Sequence, residues 1–472
     1  MNEPRKEHVF AGRLVMLGFG CIGQGALPLL LRHIEMSADQ VLIVSADDAG
    51  AAIAASHGVH RLCMPVTAEN LHHVLGPLLG VGDFLLNLSV DVSSVALIRL
   101  CRERGALYLD TCIEPWKGGY VDHLQPPGER TNYALREAAL ALRSPGRNAP
   151  TALLTHGANP GLVSHFVKQA LLDLIDSSGG CFGRPTSREH WARLANCLNV
   201  QVIHVAERDS QCGAVRKQPG EFVNTWSVDG FASEACQPAE LGWGSHEQHC
   251  PVDAQQHESG SRASIYLLRP GATTWVRSWT PLGGAQHALL ITHGESISIA
   301  DHLTLGDPAR PDYRPTVHYA YRPCDDALLS LLELEERNWR LQERKRVLKD
   351  EIEDGIDELG VLLMGHSRGA YWYGSQLSSR QARELCPFNS ATSLQVTAAV
   401  MAGVVWVMKN PARDVVEPDD LPFDEIIERC RPYLGKLVGV FSHWTPLDGR
   451  AALFPQDVDT SSPWQFKNFR VD

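Results

Sequence analysis

Leu14–Gly25 reads L-V-M-L-G-F-G-C-I-G-Q-G, and the fold follows from it. A short apolar run over Arg13–Leu17 ends in Gly18, Gly20 and Gly23 at G-x-G-x-x-G spacing, and an apolar segment follows at once. The pattern predicts a buried strand, a tight turn and the start of a helix. In such a unit the first glycine allows the turn, the second lets a pyrophosphate approach the backbone, and the third lets helix and strand pack closely. Free N–H groups at the helix amino terminus, at the positive end of its dipole, then hold the phosphates. Gly18, Gly20, Cys21, Ile22 and Gly23 are therefore the candidate contacts for a dinucleotide.

Downstream, Ala26–Ile34 reads as an apolar helix and Val41–Ser45 as the next strand. A site for NAD usually ends this strand in an acidic residue on the adenosine ribose, about 20 residues after the glycines. Here the strand ends in Ser45, with Asp47 and Asp48 just beyond and no arginine in the stretch to welcome a 2′-phosphate. The reading favours NAD over NADP and assigns the ribose to Asp47 or Asp48. Strands at His60–Val66, Asp83–Val90 and Ala106–Asp110 alternate with helices at Leu71–Leu79 and Ser93–Arg104. After the helix Asn132–Arg143, Ser144–Pro150 is a hinge and Thr151–Leu154 a sixth strand. Such alternation implies a parallel sheet whose ligand lies beyond the carboxyl ends of the strands. Asn87, Ser89, Asp110 and Thr111 stand at those ends and complete the cofactor set, with Glu114-Pro115-Trp116 where a nicotinamide would lie.

From about Gln201 to Tyr321 the pattern changes to short β-branched or aromatic runs, among them Val202–Val205, Glu221–Val228 and Thr273–Thr280, separated by Gly, Pro and Asp. These predict an antiparallel or mixed sheet. The fold class is thus α/β, a Rossmann-type doubly wound parallel sheet plus a second α+β substrate domain. The division is 1–150 for the nucleotide domain, 151–385 for the substrate domain, and 386–472 for C-terminal helices and a tail packing back on both. The charged stretch Leu332–Glu353 reads as a solvated helix or an insertion, Glu358–Met364 and Ala370–Gln376 as strands, and Gln395–Met408 as an apolar helix.

Composition narrows the function. A length of 472 residues implies two or three domains. The net charge of -12 argues against nucleic acid and suits a cationic ligand. The 12 cysteines form no C-x-x-C or zinc spacing, so reduced thiols in a cytoplasmic protein, without a metal site, are expected. No 18-residue apolar run stands out to span a bilayer.

The segment Asn224–Gly244 carries Trp226, Glu234, Glu240 and Trp243 among small and apolar residues, and Glu207 ends a β-like run just upstream. Carboxylates accept charge-assisted hydrogen bonds from ammonium groups, and an indole face adds about 2 kcal/mol for a desolvated cation. His293-Gly294-Glu295 sets a proton carrier beside a carboxylate. Gly365–Gly369, G-H-S-R-G, matches a nucleophile elbow, which needs a strand before and a helix after. The Y-W-Y-G that follows is a poor helix start, so Ser367 is not assigned a catalytic role.

The runs L-G-F-G-C-I-G-Q-G-A-L-P-L-L, N-L-S-V-D-V-S-S, I-E-P-W, G-A-N-P-G, H-V-A-E-R-D, V-N-T-W-S-V-D-G-F, P-A-E-L-G-W-G and H-G-E-S-I-S-I-A-D together resemble the bacterial homospermidine synthases. The likeness runs from about Arg13 to the end. It implies an enzyme related to the saccharopine and carboxynorspermidine dehydrogenases, typically a homodimer, with tightly held NAD. Such an enzyme joins two putrescines, or spermidine and putrescine, into homospermidine by hydride abstraction, imine exchange and hydride return without net NAD consumption. The resemblance further implies that Trp226 makes a cation–π contact, that Glu234, Glu207 and Glu114 hold substrate amines, and that Asn159 and His293 line the same pocket. Ser45 departs from the acidic residue expected there. The proton of the reacting amine would pass to His293 or a glutamate, and the tail, closed over the pocket, would keep water from the imine. The rivals are a net reductive dehydrogenase of the saccharopine type, whose carboxylate substrates would need converging Arg or Lys, and a cofactor-sensing protein without catalysis.

Overall fold

Leu14–Leu17 is buried along its whole length, as a central strand must be. The computed structural model describes residues 6–144, 148–180 and 183–471; the expected hinge at Ser144–Pro150 falls partly outside them. Leu14–Leu17 lies inside a seven-stranded, all-parallel sheet. Across the sheet the order is Val415–Val416, Ala152–Leu153, Leu107–Asp110, Phe84–Asn87, Leu14–Leu17, Val41–Ser45, His60–Cys63. The chain winds outward in one direction from Leu14–Leu17 and then returns to Phe84–Asn87 on its other side. That reversal opens a crevice at the carboxyl ends of these two strands. The helix Cys21–His33 starts at the glycine turn itself, earlier than the expected Ala26.

The chain beyond 386 contributes to both sheets. It supplies Val415–Val416 to the parallel sheet and Lys436–Ser442 to the second. Its helix Ala391–Lys409 has a mean hydropathy of 1.6 over an 18-residue window, so, contrary to the sequence reading, one segment is long and apolar enough to cross a membrane. Its apolarity has another use: 94% of that window is buried inside the protein, and the helix packs along Cys21–His33.

The second, eleven-stranded sheet has Val202–Asp209 at its centre, parallel to Thr316–Arg322 on one side and antiparallel to Ile356–His366 on the other. Strand alternation sends Val205, Glu207 and Asp209 to one face and His204 to the other. The tail covers the His204 face: Phe469 meets His204 at 4.8 Å between ring centroids, and Phe466 meets His318 at 5.8 Å. Arg470–Val471 then pairs with Trp275–Thr280. The tail is ordered by wrapping the body, but on the face opposite Glu207, so the expected lid over the pocket is not what it forms.

Two further expectations change. The charged stretch after Leu332 is not one helix: Asp325–Glu336 is helical, and Arg344–Val347 is a strand pairing in parallel with Glu221–Asn224. Its basic side chains are matched by acids on its neighbours, with Arg346 Nε 2.9 Å from Glu221 and Lys345 2.5 Å from Asp229. That is a compensation between distant segments, which helical charge spacing cannot show. The strand predicted over Glu221–Val228 stops at Asn224; Ser227 Oγ accepts from Gly230 N–H at 3.1 Å and caps a helix, Val228–Cys236. Around Ser367, Gly365 and Gly369 take φ of 99° and 89° in a hairpin turn between Ile356–His366 and Gly369–Ser378. With strands on both sides there is no nucleophile elbow.

Candidate active site

The glycine turn has the shape a dinucleotide needs. Gly18 has φ +89°, and a Cβ there would lie 2.6 Å from Leu88 O. A Cβ on Gly23 would lie 2.8 Å from Gly18 O, which is the close helix–strand contact. At Gly20 a Cβ would meet nothing within 4 Å, so this glycine faces open space. The helix opened by Cys21 and Ile22 has no side-chain cap, which leaves its first N–H groups for a phosphate. These residues fit a bound dinucleotide.

At the adenosine end, Ser45 Oγ donates to Asp47 O at 2.8 Å. Asp47 Oδ1 accepts from Ala49 N–H at 2.9 Å, and Asp48 is exposed. The sequence stretch shows no arginine here, but the sheet brings one from the next strand. Arg61 Nη2 donates to Ser45 Oγ at 3.1 Å and to Asp47 O at 2.8 Å. The argument from a missing arginine therefore fails: register, not sequence proximity, decides what reaches the strand end.

At the other end of the crevice, Asn87 Oδ1 accepts from Ser89 Oγ at 2.6 Å. Asp110, fully buried, accepts from Tyr108 OH at 2.7 Å and Thr155 N–H at 2.6 Å. Burial raises its pKa to about 6 against these bonds. Asp110 thus ties its strand end to the Thr155 loop, with Thr111 following at the mouth.

Beyond this mouth the structure gathers a row of acidic and aromatic groups. His293 precedes the helix Gly294–His302. Its Nε2 lies 3.0 Å from Glu234 Oε2 and its Nδ1 3.3 Å from Glu295 Oε1. Bonding a carboxylate at each nitrogen requires a proton on both. Burial alone would lower the His293 pKa, but Glu295 and Glu234 outweigh it and hold it well above the ordinary value. His293 is therefore a held cation near neutrality, and of the two proton acceptors entertained from sequence it is the glutamate that remains.

The His293 ring lies 4.5 Å from that of Tyr319, whose hydroxyl donates to Glu207 Oε2 at 2.6 Å. Asn159 Nδ2 donates to the same oxygen at 2.9 Å. Burial pushes Glu207 up to about 7; Tyr319 pulls it down, Asp209 raises it and His293 lowers it. Asp209 and Asp357 are cross-strand partners on the same sheet face, both buried. Carboxyls this close in a low dielectric cannot all ionise, so the row carries protons at neutral pH.

Glu114 joins from the parallel sheet. Asp91 N–H donates to its Oε2 at 3.3 Å. Burial, with Glu234, Asp91 and Asp110 nearby, raises it to about 8 in spite of that bond. Trp226, half-buried in the turn before Val228–Cys236, connects to the row through rings: Phe231 at 5.4 Å, then Tyr321 at 5.6 Å, then Tyr319 at 5.2 Å. A cavity of about 590 Å³ opens next to Glu114, lined by Pro115, Trp116, Lys117, Tyr120 and Arg130.

Glu240 and Trp243 lie outside this group. Glu240 is fully buried and accepts from the N–H groups of Asn132 at 3.0 Å and Tyr133 at 3.2 Å, so it caps the helix Asn132–Leu140. Trp243 packs on Phe466 at 6.2 Å. Tyr319, which links Glu207 to His293, is the residue the sequence reading missed. Its signal was the alternation T-V-H-Y-A-Y-R, which sets Tyr319 and Tyr321 on one face.

Residues 14–153 match the saccharopine dehydrogenase NADP binding domain and residues 157–441 the saccharopine dehydrogenase C-terminal domain. The homospermidine synthase of Blastochloris viridis is 52% identical over 468 residues, covering 98% of each chain. That of Mesorhizobium japonicum is 48% identical over 467 residues, covering 98% of this chain and 96% of the relative. A crystal structure of the homospermidine synthase from Legionella pneumophila in complex with NAD superposes with a TM-score of 0.92, at 48% identity over 99% of each chain. Saccharopine dehydrogenase from Saccharomyces cerevisiae, 12% identical over 91% of this chain and 100% of its own, shares the fold with a TM-score of 0.52. By sequence over nearly its whole length, the chain belongs to the homospermidine synthase family.

Proposed function

We propose that this protein uses NAD to join two putrescines, or an aminobutyl group from spermidine and a putrescine, into homospermidine, releasing ammonia or diaminopropane. The observation that carries the reading is the connected row Glu114, Glu234, His293, Tyr319, Glu207 and Asn159 beside a dinucleotide crevice. Family membership supports the overall reaction, and the resemblance supports the roles of Trp226 and Glu234; the proton-handling roles are inferred from the geometry.

A diamine arrives with both amines protonated, each with a pKa near the lysine value of about 10.4. Only a neutral nitrogen has the lone pair that helps a hydride leave its carbon, so the site must treat the two ends oppositely. Trp226 and Glu234 hold one end as an ammonium. Glu207, with a pKa near neutrality, takes the proton from the other, and Tyr319 and Asn159 keep its carboxylate in place. A nicotinamide bound at the crevice supplies a reversible hydride acceptor, so the carbon can be oxidised and later reduced with no net reductant used. His293, pinned between Glu234 and Glu295, fixes the spacing of the acidic groups and limits their mutual repulsion. Glu114, largely protonated at neutral pH, can give a proton to the departing amine.

A reductive dehydrogenase of the saccharopine type would need basic groups for its carboxylate substrates. Arg269 is paired with Asp253 at 2.8 Å and Arg277 donates to Pro446 O and Asp448 O near the tail, so neither serves such a substrate; the basic groups at the cavity beside Glu114 are Lys117 and Arg130. A cytoplasmic homodimer fits the resemblance and the free thiols of the described cysteines. Incubation with putrescine and a catalytic amount of NAD tests the reading by mass spectrometry: homospermidine and ammonia without accumulating NADH are expected. NADH build-up would instead mark a dehydrogenase, and no product a sensor.

A further inference from the structure

The strands that carry Glu207 and Tyr319 end at a second, smaller cavity. It has a volume of about 130 Å³ and is lined at the strand ends by Arg208 and Arg322, with Arg216, Asp325 and Asp326 around them. Strand alternation turns Arg208 to the sheet face opposite Glu207. Parallel register sets Arg322 directly across from Arg208, and like charges so placed destabilise a sheet. The carboxylate that register would offer is Glu358, across from Arg208 on the other side, but it is engaged elsewhere. It accepts from Thr280 Oγ1 and Leu282 N–H, each at 2.9 Å, and from Gly283 N–H at 3.1 Å. A Cβ at Gly283 would lie 2.7 Å from Arg208 Cδ and 2.9 Å from its Nη1, so the glycine in this turn gives the guanidinium its place. Arg216 is paired with the buried Asp326 at 3.1 Å. Arg208, Arg322 and Asp325 remain. The two arginines are half-buried and Asp325 is exposed, and among the described residues none of the three side chains makes a hydrogen bond or an ion pair. Two cations and an anion thus line one small cavity without touching one another.

We propose that this cavity binds a small zwitterion, an amino acid with one carboxylate and one ammonium. The carboxylate accepts from the guanidinium groups of Arg208 and Arg322, whose planar donors match it and whose mutual repulsion it relieves. The ammonium donates to Asp325. A diamine leaves the arginines without an acceptor, and a simple anion leaves Asp325 without a donor. The volume is far below the roughly 300–1,000 Å³ of ordinary ligand pockets, which limits the occupant to a few heavy atoms. The proposal is independent of the polyamine chemistry, since none of these three side chains belongs to the acidic row.

Ligand-observed NMR titrations of the full-length protein test it with four probes. Glycine and 4-aminobutyrate carry both charges at short and long separation; acetate and methylammonium carry one each. One of the two amino acids should bind at least tenfold more tightly than either single-charge probe. Which one does so reports the distance from the arginine pair to Asp325, and either preference supports the proposal. Arg322→Ala should weaken that amino acid at least tenfold. Asp325→Asn, a change at an exposed side chain, should weaken it as much and leave acetate within threefold. Glu234→Gln, altered in the polyamine site, should bind it within threefold of the wild type. Acetate binding as tightly as both amino acids would overturn the proposal and reduce the cavity to an anion site. Binding lost in Glu234→Gln would overturn it by placing the amino acid in the polyamine site. So would no binding of either amino acid, or binding indifferent to Arg322→Ala and Asp325→Asn, which would leave the arginines as solvated surface.

Discussion

Trp226 and Glu234 sit at the two ends of one short segment, the turn and helix that follow Glu221–Asn224, and the account gives each a separate duty. Truncating the indole removes a cation–π contact worth about 2 kcal/mol in a desolvated site, which is about 30-fold in rate. Trp226→Ala should therefore lower kcat by about that factor in a steady-state assay, with NAD affinity kept within threefold and Trp226→Phe milder. Glu207 gives the pH dependence. Its folded-state pKa is raised to about 7 by burial, so it is protonated below and charged above that value. A base must be charged to act, so the acid limb of kcat should rise through about pH 7. Glu207→Gln should abolish that limb and lower kcat at least a hundredfold at pH 8, within the usual range for a lost general base. An unchanged limb in a residually active variant would move the proton acceptor elsewhere. Trp226, Glu234 and Glu207 stood out in the sequence as an indole and carboxylates in small, apolar surroundings, but so did Glu240 and Trp243; it was the family resemblance that picked out the set and added Glu114 and Asn159. Tyr319 and Arg61 did not stand out, since what makes them matter is a cross-strand neighbour far away in the chain.

At the scale of elements, two expectations separate structural acids and aromatics from catalytic ones. Glu240 looked much like Glu234 in sequence, yet it caps the helix Asn132–Leu140 from inside the core. Glu240→Gln turns one acceptor into a donor facing backbone N–H. It should cost about 2 kcal/mol of stability in urea unfolding and leave kcat within threefold, whereas Glu234→Gln should do the reverse. Phe469, fully buried against His204, belongs to the sheet face away from the site. Phe469→Ala should cost about 3–5 kcal/mol in the same unfolding measurement, with turnover of the surviving folded enzyme unchanged. The nucleotide-domain strands were readable because buried parallel strands are continuous apolar runs between glycine turns. Arg344–Val347 was not, because a basic strand stabilised by distant acids has the local look of a helix, and neither was the turn at Trp226, where apolar residues continue past the end of a strand.

Over the whole molecule, the parallel sheet brings the crevice and Glu114, and the mixed sheet brings Glu207, Tyr319 and Asn159's partner oxygen. Helix Val228–Cys236 and His293 fill the space beside them. The central claim is that the reacting carbon gives up its hydride and receives the same one back within one closed turnover, while a carboxylate-and-indole slot keeps the far nitrogen charged. Putrescine carrying deuterium on both carbons next to nitrogen tests it directly, with product mass read after incubation with holoenzyme. The account predicts homospermidine that retains all the deuterium of both precursor molecules. Product lacking a deuterium, or deuterium accumulating in free reduced cofactor, would contradict it.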